Sequence, residues 1–202
     1  MAQTLPPHTM NILFICSKNQ WRSPTTIGHC AIAWGARGIT GVQLPEHDEA
    51  ATRARMASRF PSSAEADAPP VVQQAMDAIT ALLRGTPTES TDLRDIVLDM
   101  DGVPPFRQRV YAVARGISPG ETVTYGELAR QLGEPGAARA VGQALGQNPF
   151  APVVPCHRIL AADGRSGGFS ANGGTDTKLR MLLMERAQFN GPGLFDEPPD
   201  TQ

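Results

Sequence analysis

Long hydrophobic runs are missing from this chain. The longest, such as ILFIC at 12–16, hold about five residues in a chain of 202, where a helix crossing a bilayer needs about 20. No membrane partner is therefore expected. The first ten residues, MAQTLPPHTM, contain neither a basic stretch nor an apolar one, so no secretory signal is expected either. Cysteine is scarce and odd in number, with three residues at 16, 30 and 156. That excludes a disulfide framework and makes a reducing cytoplasm the expected compartment. A net charge of −2 excludes a protein that coats nucleic acid by charge alone. It leaves room for local reading, because nine of the ten cationic residues in 101–188 are Arg. The guanidinium suits flat, bidentate recognition of bases and phosphates, although an ordinary solvated surface has the same composition.

What is present is a chain of short elements punctuated by 20 Gly and 18 Pro, without an internal repeat. NILFIC (11–16) reads as a short buried strand. In TTIGHCAIAW (25–34), Cys30, Ile32 and Trp34 alternate, which predicts a half-buried strand over 26–34. GARG then predicts a turn and ITGVQL (39–44) a second strand, so a hairpin is expected. Residues 48–60 predict an exposed helix, 61–70 a loop and 71–83 a helix of clear 3.6 period, with 96–98 a further short strand. From about residue 100 the pattern turns helical: 106–116 after Pro104 and Pro105, 122–132 starting near Thr124, and 137–145 rich in Ala and Gly. NPFAPVVPCHRIL (148–160) reads as extended, proline-punctuated chain. A glycine-rich loop covers 164–174, and a last helix, 177–186, is expected to bury Leu179, Leu182 and Leu183.

Helix, tight turn GEPG and helix across 122–146 form a helix-turn-helix pattern, whose bland counterpart is a helix pair packed in a core. The densest chemistry is Pro155-Cys156-His157-Arg158. A thiol attacks as thiolate, and an ordinary thiol pKa of about 8.5 leaves little of it at neutral pH. A nearby base corrects this, and a carboxylate that orients the base completes the set. Asp163, Asp176 and Glu185 are the downstream carboxylates, and Glu185 follows the last apolar stripe. In extended chain, Cys156 and His157 would point to opposite sides, so a bend or a bridging water is required. A buried structural thiol beside a satisfied core histidine fits the spacing equally well.

These motifs together carry a resemblance. FRQRVYAVARGISPGETVTYGELA (106–129), GAARAVGQALGQNP (136–149), VPCHRIL (154–160), and GGFSANGG, Lys178 and LLMER (167–186) follow the order of the active-site domain of methylated-DNA–protein-cysteine methyltransferases. TTIGHCAIAWGARGITGVQLPE (25–46) resembles the start of that family's less constrained N-terminal domain. The resemblance implies an α+β fold. A small N-terminal α/β domain (25–99) with a short sheet follows an atypical segment (1–24). A mainly helical C-terminal domain (100–188) carries the helix-turn-helix and the active-site cysteine, and the tail 189–202 is expected to be disordered.

The resemblance also implies a function. The alkyl group of O6-alkylguanine, and of O4-alkylthymine, in double-stranded DNA would move once and irreversibly onto Cys156. His157 would take the thiol proton through a water, Glu185 would hold the imidazole, and Tyr125 would protonate the leaving purine. The backbone at Cys156 and Ile159 and the hydroxyl of Ser170 would read the base, and Phe169 would cover the alkyl pocket. Asn148 would support the turn before the acceptor. The second helix would enter the minor groove, with Arg139 filling the stack vacated by the flipped nucleotide and Thr124, Ala138 and Gly142 lying near the DNA. Lys178 matches in position, as an exposed helix lysine would. No cofactor, no metal and a monomer are expected. A non-catalytic relative that only binds alkyl lesions is the alternative, opposed by the intact cysteine.

Residues 11–25, NILFICSKNQWRSPT, depart from this pattern. Cys16-x5-Arg22-Ser23 is similar to the phosphate loop of low-molecular-weight protein tyrosine phosphatases, where backbone N–H groups and the arginine cradle a phosphate. That loop opens a helix, whereas strand-like sequence follows here. The segment is expected to be a leftover or the product of a misplaced start, with a Cys16/Arg22 phosphatase as the minor alternative. Cys16, His29, Cys30 and His47 are metal-ligating residue types, but their spacing matches no zinc template.

Overall fold

The structure is a computed structural model that describes residues 11–15, 28–86, 93–162, 164 and 166–187. Its first half is a four-stranded sheet of order β3-β2-β1-β4, built from β1 (Asn11–Ile15), β2 (Cys30–Gly35), β3 (Gly38–Gln43) and β4 (Ala64–Glu65). β1 runs antiparallel to β2, pairing Asn11 with Trp34 and Ile15 with Cys30, and β4 lies parallel to β1. The hairpin expected from GARG joins β2 to β3, and Gly38 makes it possible. Its φ is +136°, and a Cβ there would lie 2.6 Å from the Val97 carbonyl oxygen. Instead of a strand over 96–98 there is a single parallel bridge, Ile39 to Leu98, held by hydrogen bonds from Ile39 N to Val97 O and from Asp99 N to Ile39 O.

β2 is not half-buried. Helix α1 (Glu49–Arg59) covers one face of the sheet and α2 (Pro70–Leu83) packs on the other. Cys30, Ile32 and Trp34 face α2, with Ile79, Leu82 and Met76. Ala31 and Ala33 face Met56 of α1. The alternation in the sequence is one of size, not of polarity: alanines let α1 lie close, and both faces are dry. Asp48 caps α1 by accepting from Ala51 N at 2.7 Å, and Pro70 at the first position starts α2. The expected loop over 61–70 contains β4, which completes the sheet edge.

The second half is helical: α3 (Pro105–Arg115), α4 (Tyr125–Gln131), α5 (Ala138–Gly146) and α6 (Gly174–Met184). α3, α4 and α5 enclose a second core of Val110, Tyr111, Leu128, Val141, Leu145, Phe150 and Ile159. The Tyr111 hydroxyl donates to the Ala144 carbonyl, and its ring meets Phe150 edge to face at 6.2 Å. Two residues before α4, β5 (Val123–Thr124), pair in parallel with β6 (Ile159–Leu160). This small ladder fixes the chain just after Cys156 against the start of α4.

Candidate active site

The segment 148–160 is turned rather than extended. Val154 N donates to Phe150 O, Cys156 N to Val154 O, and Arg158 N to Pro155 O. Cys156–Arg158 forms one turn of 3-10 helix, and only Ile159 and Leu160 are strand. The reason lies in Asn148. Its Oδ1 accepts from Phe150 N at 2.9 Å and its Nδ2 donates to Val154 O at 2.8 Å, so one side chain closes the loop on itself. The same Nδ2 lies 3.5 Å from the Cys156 Sγ. The turn supplies the bend that strand geometry would deny to Cys156 and His157.

Cys156 is 6% exposed and forms part of the wall of a cavity of about 410 Å³. Tyr125, Gly142, Phe169 and Ser170 share that wall. A second cavity of about 260 Å³, lined by Asn148, Cys156, Phe169 and residues of β3 and α1, meets the same thiol from the side of the sheet. Burial pushes the Cys156 thiol up. The Asn148 N–H, the Lys178 ammonium and the backbone N–H groups of Cys156 and His157 oppose the rise without cancelling it. The thiol is therefore protonated at rest and surrounded by groups that favour its anion.

His157 is fully buried, and its Nε2 lies 2.8 Å from Glu185 Oε1. A carboxylate only accepts, so Nε2 carries the proton and Nδ1 keeps its lone pair. Nδ1 is buried and has no hydrogen-bond partner in the protein. Burial, opposed by Glu185 and helped by Arg158 and Lys178, lowers the His157 pKa, so the ring is neutral and basic at Nδ1. Glu185 closes α6 and is fixed from a second side by Arg158, whose Nε and Nη2 donate to its two oxygens at 2.9 and 2.7 Å. Burial alone would raise this carboxyl, but His157 and Arg158 together hold it down at about 2.

Of Leu179, Leu182 and Leu183, α6 fully buries only Leu182. Its inward positions are Lys178, Met181 and Leu182, while Leu183 is exposed. The helix starts three residues earlier than expected, at Gly174, with Gly173 left-handed before it. Lys178, Met181, Leu182 and Glu185 then follow the i, i+3, i+4, i+7 pattern of one face. Lys178 is fully buried, donates to the Ile159 carbonyl at 2.6 Å, and lies 5.8 Å from the centre of the Tyr125 ring. Burial lowers its pKa to about 8, against the pull of Cys156.

Residues 105–187 match the family model described as 6-O-methylguanine DNA methyltransferase, DNA binding domain. The methylated-DNA–protein-cysteine methyltransferase of Methanothermobacter thermautotrophicus is 32% identical over 160 residues, 79% of this chain and 81% of that protein. The chain belongs to the methylated-DNA–protein-cysteine methyltransferase family. The corresponding Mycolicibacterium paratuberculosis protein is 46% identical over 112 residues, 55% of this chain, and the match spans 64% of that relative. This chain thus matches just under two thirds of the length of that curated relative. The crystal structure of Mycobacterium tuberculosis OGT in complex with DNA is similar with a TM-score of 0.65 and 34% identity, covering 89% of this chain and 93% of that one.

Within this methyltransferase fold, the residues singled out in the sequence are placed as follows. Tyr125, Gly142, Cys156, Phe169 and Ser170 come together around the larger cavity, Asn148 reaches the thiol, and His157, the next residue in the same turn, pairs with Glu185 in the interior. The Tyr125 ring is bounded by glycines: a Cβ on Gly142 would meet it at 3.8 Å and one on Gly167 at 3.5 Å. Burial, with Cys156 adding to it, raises the Tyr125 pKa and keeps its hydroxyl protonated. Ile159 is fully buried, and its carbonyl is engaged by Lys178. The Thr124 hydroxyl is occupied in a capping box with Glu127, accepting from Glu127 N at 3.2 Å and donating to its carboxylate at 2.9 Å. Ala138 and Arg139 open α5, with Arg139 exposed. Arg158 and the burial of Lys178 were not anticipated. The basic residue next to His157, and the helical spacing of Lys178 from Glu185, were the available signals.

The Cys16–Arg22 loop lies outside the described residues. Among the described residues no group of three His, Cys, Asp or Glu side chains comes together to hold a metal, and no helix is long and apolar enough to cross a membrane.

Proposed function

We propose that this protein removes the alkyl group from O6-alkylguanine, and from O4-alkylthymine, in double-stranded DNA by single-turnover transfer to Cys156. The observation that carries the reading is the set of groups gathered at the Cys156–His157 turn. The thiol reaches a cavity, Asn148 and Lys178 favour its anion, and a neutral histidine with a free Nδ1 is locked by Glu185. In the reaction, Nδ1 of His157 takes the thiol proton through a water, and Sγ attacks the alkyl carbon in line with the departing O6. The bond from that carbon to O6 breaks and its electrons pass into the purine. The Tyr125 hydroxyl gives the purine its proton, and the thiol proton replaces it in the net balance. The thioether that results has no route back to a thiol, so each chain acts once.

A base within a duplex is out of reach of a buried thiol, so the nucleotide must be flipped, at a cost of a few kcal/mol. Exposed Arg139 at the start of α5 is suited to fill the gap, and the small residues Ala137, Ala138, Ala140 and Gly142 suit an approach along the minor groove. Such contacts carry little sequence information, in keeping with a reader of lesions. The protein would act as a cytoplasmic monomer without a cofactor. The similarity to Mycobacterium tuberculosis OGT in complex with DNA supports DNA as the partner.

The test is intact-protein and peptide mass spectrometry after incubation with an O6-methylguanine duplex. One methyl per chain, located on Cys156, is expected. Folded protein that gains no mass would overturn the transfer reading, leave lesion binding, and make Cys16 the next thiol to assay.

A further inference from the structure

Arg59, the last residue of α1, has a half-buried side chain whose guanidinium carbon lies 5.3 Å from the centre of the Phe60 ring. Its partners are neutral oxygens. Nη1 donates to the Val42 carbonyl at 2.9 Å and to Gln43 Oε1 at 3.0 Å, and Nη2 donates to the Pro149 carbonyl at 3.2 Å. The Pro149 carbonyl accepts again from Val42 N at 2.8 Å. One guanidinium therefore ties strand β3 of the sheet to the residue that follows Asn148. The strand leaves room for it: a Cβ on Gly41 would lie 2.9 Å from Arg59 Nη2 and 2.7 Å from the Phe60 ring.

Pro149 is the middle of the Asn148–Phe150 turn, and Asn148 is the side chain that donates to Cys156 Sγ. We infer that Arg59 is a positioning residue for the acceptor thiol, acting from the sheet half of the molecule through Pro149 and Asn148. Burial and the neighbouring Arg55 lower the Arg59 pKa, so holding the cation here is costly. That cost is understandable if the cation fixes the turn whose amide reaches the nucleophile. A hydrogen bond as long as 3.5 Å to sulfur is easily lost when its donor shifts, so the turn needs an anchor on its outer side.

This inference rests on the assignment of Cys156 as acceptor but is tested without alkylated DNA. The rate of Cys156 alkylation by iodoacetamide is followed against pH by peptide mass spectrometry. Cys30 is excluded as a competitor, since burial pushes it up to about 12. Arg59→Gln is expected to slow the reaction about 3- to 10-fold at pH 7.5 and to raise the midpoint of the profile, the effect of losing about one hydrogen bond to the anion. Asn148→Ala should do the same, and the double variant should be no slower than either single one. Arg59→Lys should recover part of the rate. Gly41→Ala, which keeps the arginine but displaces it, should mimic its loss and serves if Arg59→Gln does not fold. Variants that melt earlier with an unchanged Cys156 profile, or losses that add to that of Asn148→Ala, would overturn the inference. A parent protein whose thiol reacts normally with iodoacetamide but takes no methyl from DNA would refute the transfer reading instead.

Discussion

His157 and Glu185 stand 28 residues apart in sequence and share a 2.8 Å hydrogen bond in a site where both side chains are almost wholly dry. This bond connects the Cys156–Arg158 turn to the end of α6. It sets the imidazole tautomer, because the carboxylate accepts from Nε2 and so leaves Nδ1 as the base. Arg158 keeps the carboxylate ionised by donating to both of its oxygens. A base of this kind needs no charge of its own at rest, which suits the proposed entry of a neutral purine into the cavity.

Glu185→Gln keeps the shape and removes the anion, leaving the buried Arg158 without its counter-charge. The expected loss is about 3 kcal/mol of stability. The pH dependence has a definite sign. Glu185 is held at about 2 against an ordinary value of 4.5. Its contribution is therefore complete above 4.5 and lost as pH falls from there toward 2. His157, also lowered, acts in the same direction below its ordinary 6.5. Denaturant midpoints recorded from pH 7 to pH 3 should fall more steeply for the parent than for Glu185→Gln below 4.5. Parallel curves would mean that the carboxylate is not the ionised partner described.

Lys178→Met tests the buried amine. Methionine fills a similar volume without a charge, so the variant should fold. In the parent the amine titrates near 8 when folded and near 10.5 when unfolded, so between these values the unfolded chain binds more protons. The parent should therefore gain stability relative to Lys178→Met as pH rises from 8 to 10.5. At pH 7 the variant should also show a slower Cys156 reaction with iodoacetamide, since Lys178 favours the thiolate. A variant with the same stability profile and the same thiol rate would remove Lys178 from the site.

Much of this arrangement was legible from residues that keep their meaning out of context. The order of the motifs around Tyr125, Cys156 and Glu185 gave the family, and the relation between a nucleophile, a base and a carboxylate gave the roles. What escaped depended on packing. Cys30, Ile32 and Trp34 alternate with Ala31 and Ala33, a pattern that says strand, but only the presence of α1 makes the second face dry. The prolines of 148–155 suggested extended chain, and only the two-sided hydrogen bonding of Asn148 bends it. Lys178 looks like a surface residue by type, and its burial depends on the Ile159 carbonyl, which is 19 positions away. Thr124 is a good helix cap wherever it occurs, and its hydroxyl is used that way here.

Tyr125→Phe separates proton donation from thiol activation. The phenol lines the cavity, and burial keeps it protonated. Removing its hydroxyl should slow methyl transfer from duplex O6-methylguanine about 100-fold, the usual scale for a positioned general acid. The iodoacetamide rate of Cys156 should not change, because that reaction needs no proton on a leaving purine. If both rates fall together, the tyrosine shapes the site rather than donating to the purine.

Arg139→Ala addresses how the base reaches the thiol. Arg139 is exposed at the first turn of α5 and does not itself line the cavity. The free base O6-benzylguanine needs no flipping, so transfer of its benzyl group to Cys156, with release of guanine, should proceed at the parent rate. Transfer from a duplex should fall about 10-fold or more, because under the proposed role of Arg139 the vacated stack would lose the group that fills it and the cost of flipping would no longer be offset. The deficit should shrink on a substrate whose lesion sits opposite a mismatch, where the pair to be broken is already weak. Cys156→Ala should bind the same duplex as tightly as the parent while transferring nothing. If Arg139→Ala loses activity equally on the free base and the duplex, the residue serves folding, and the helix that enters the DNA must be sought elsewhere.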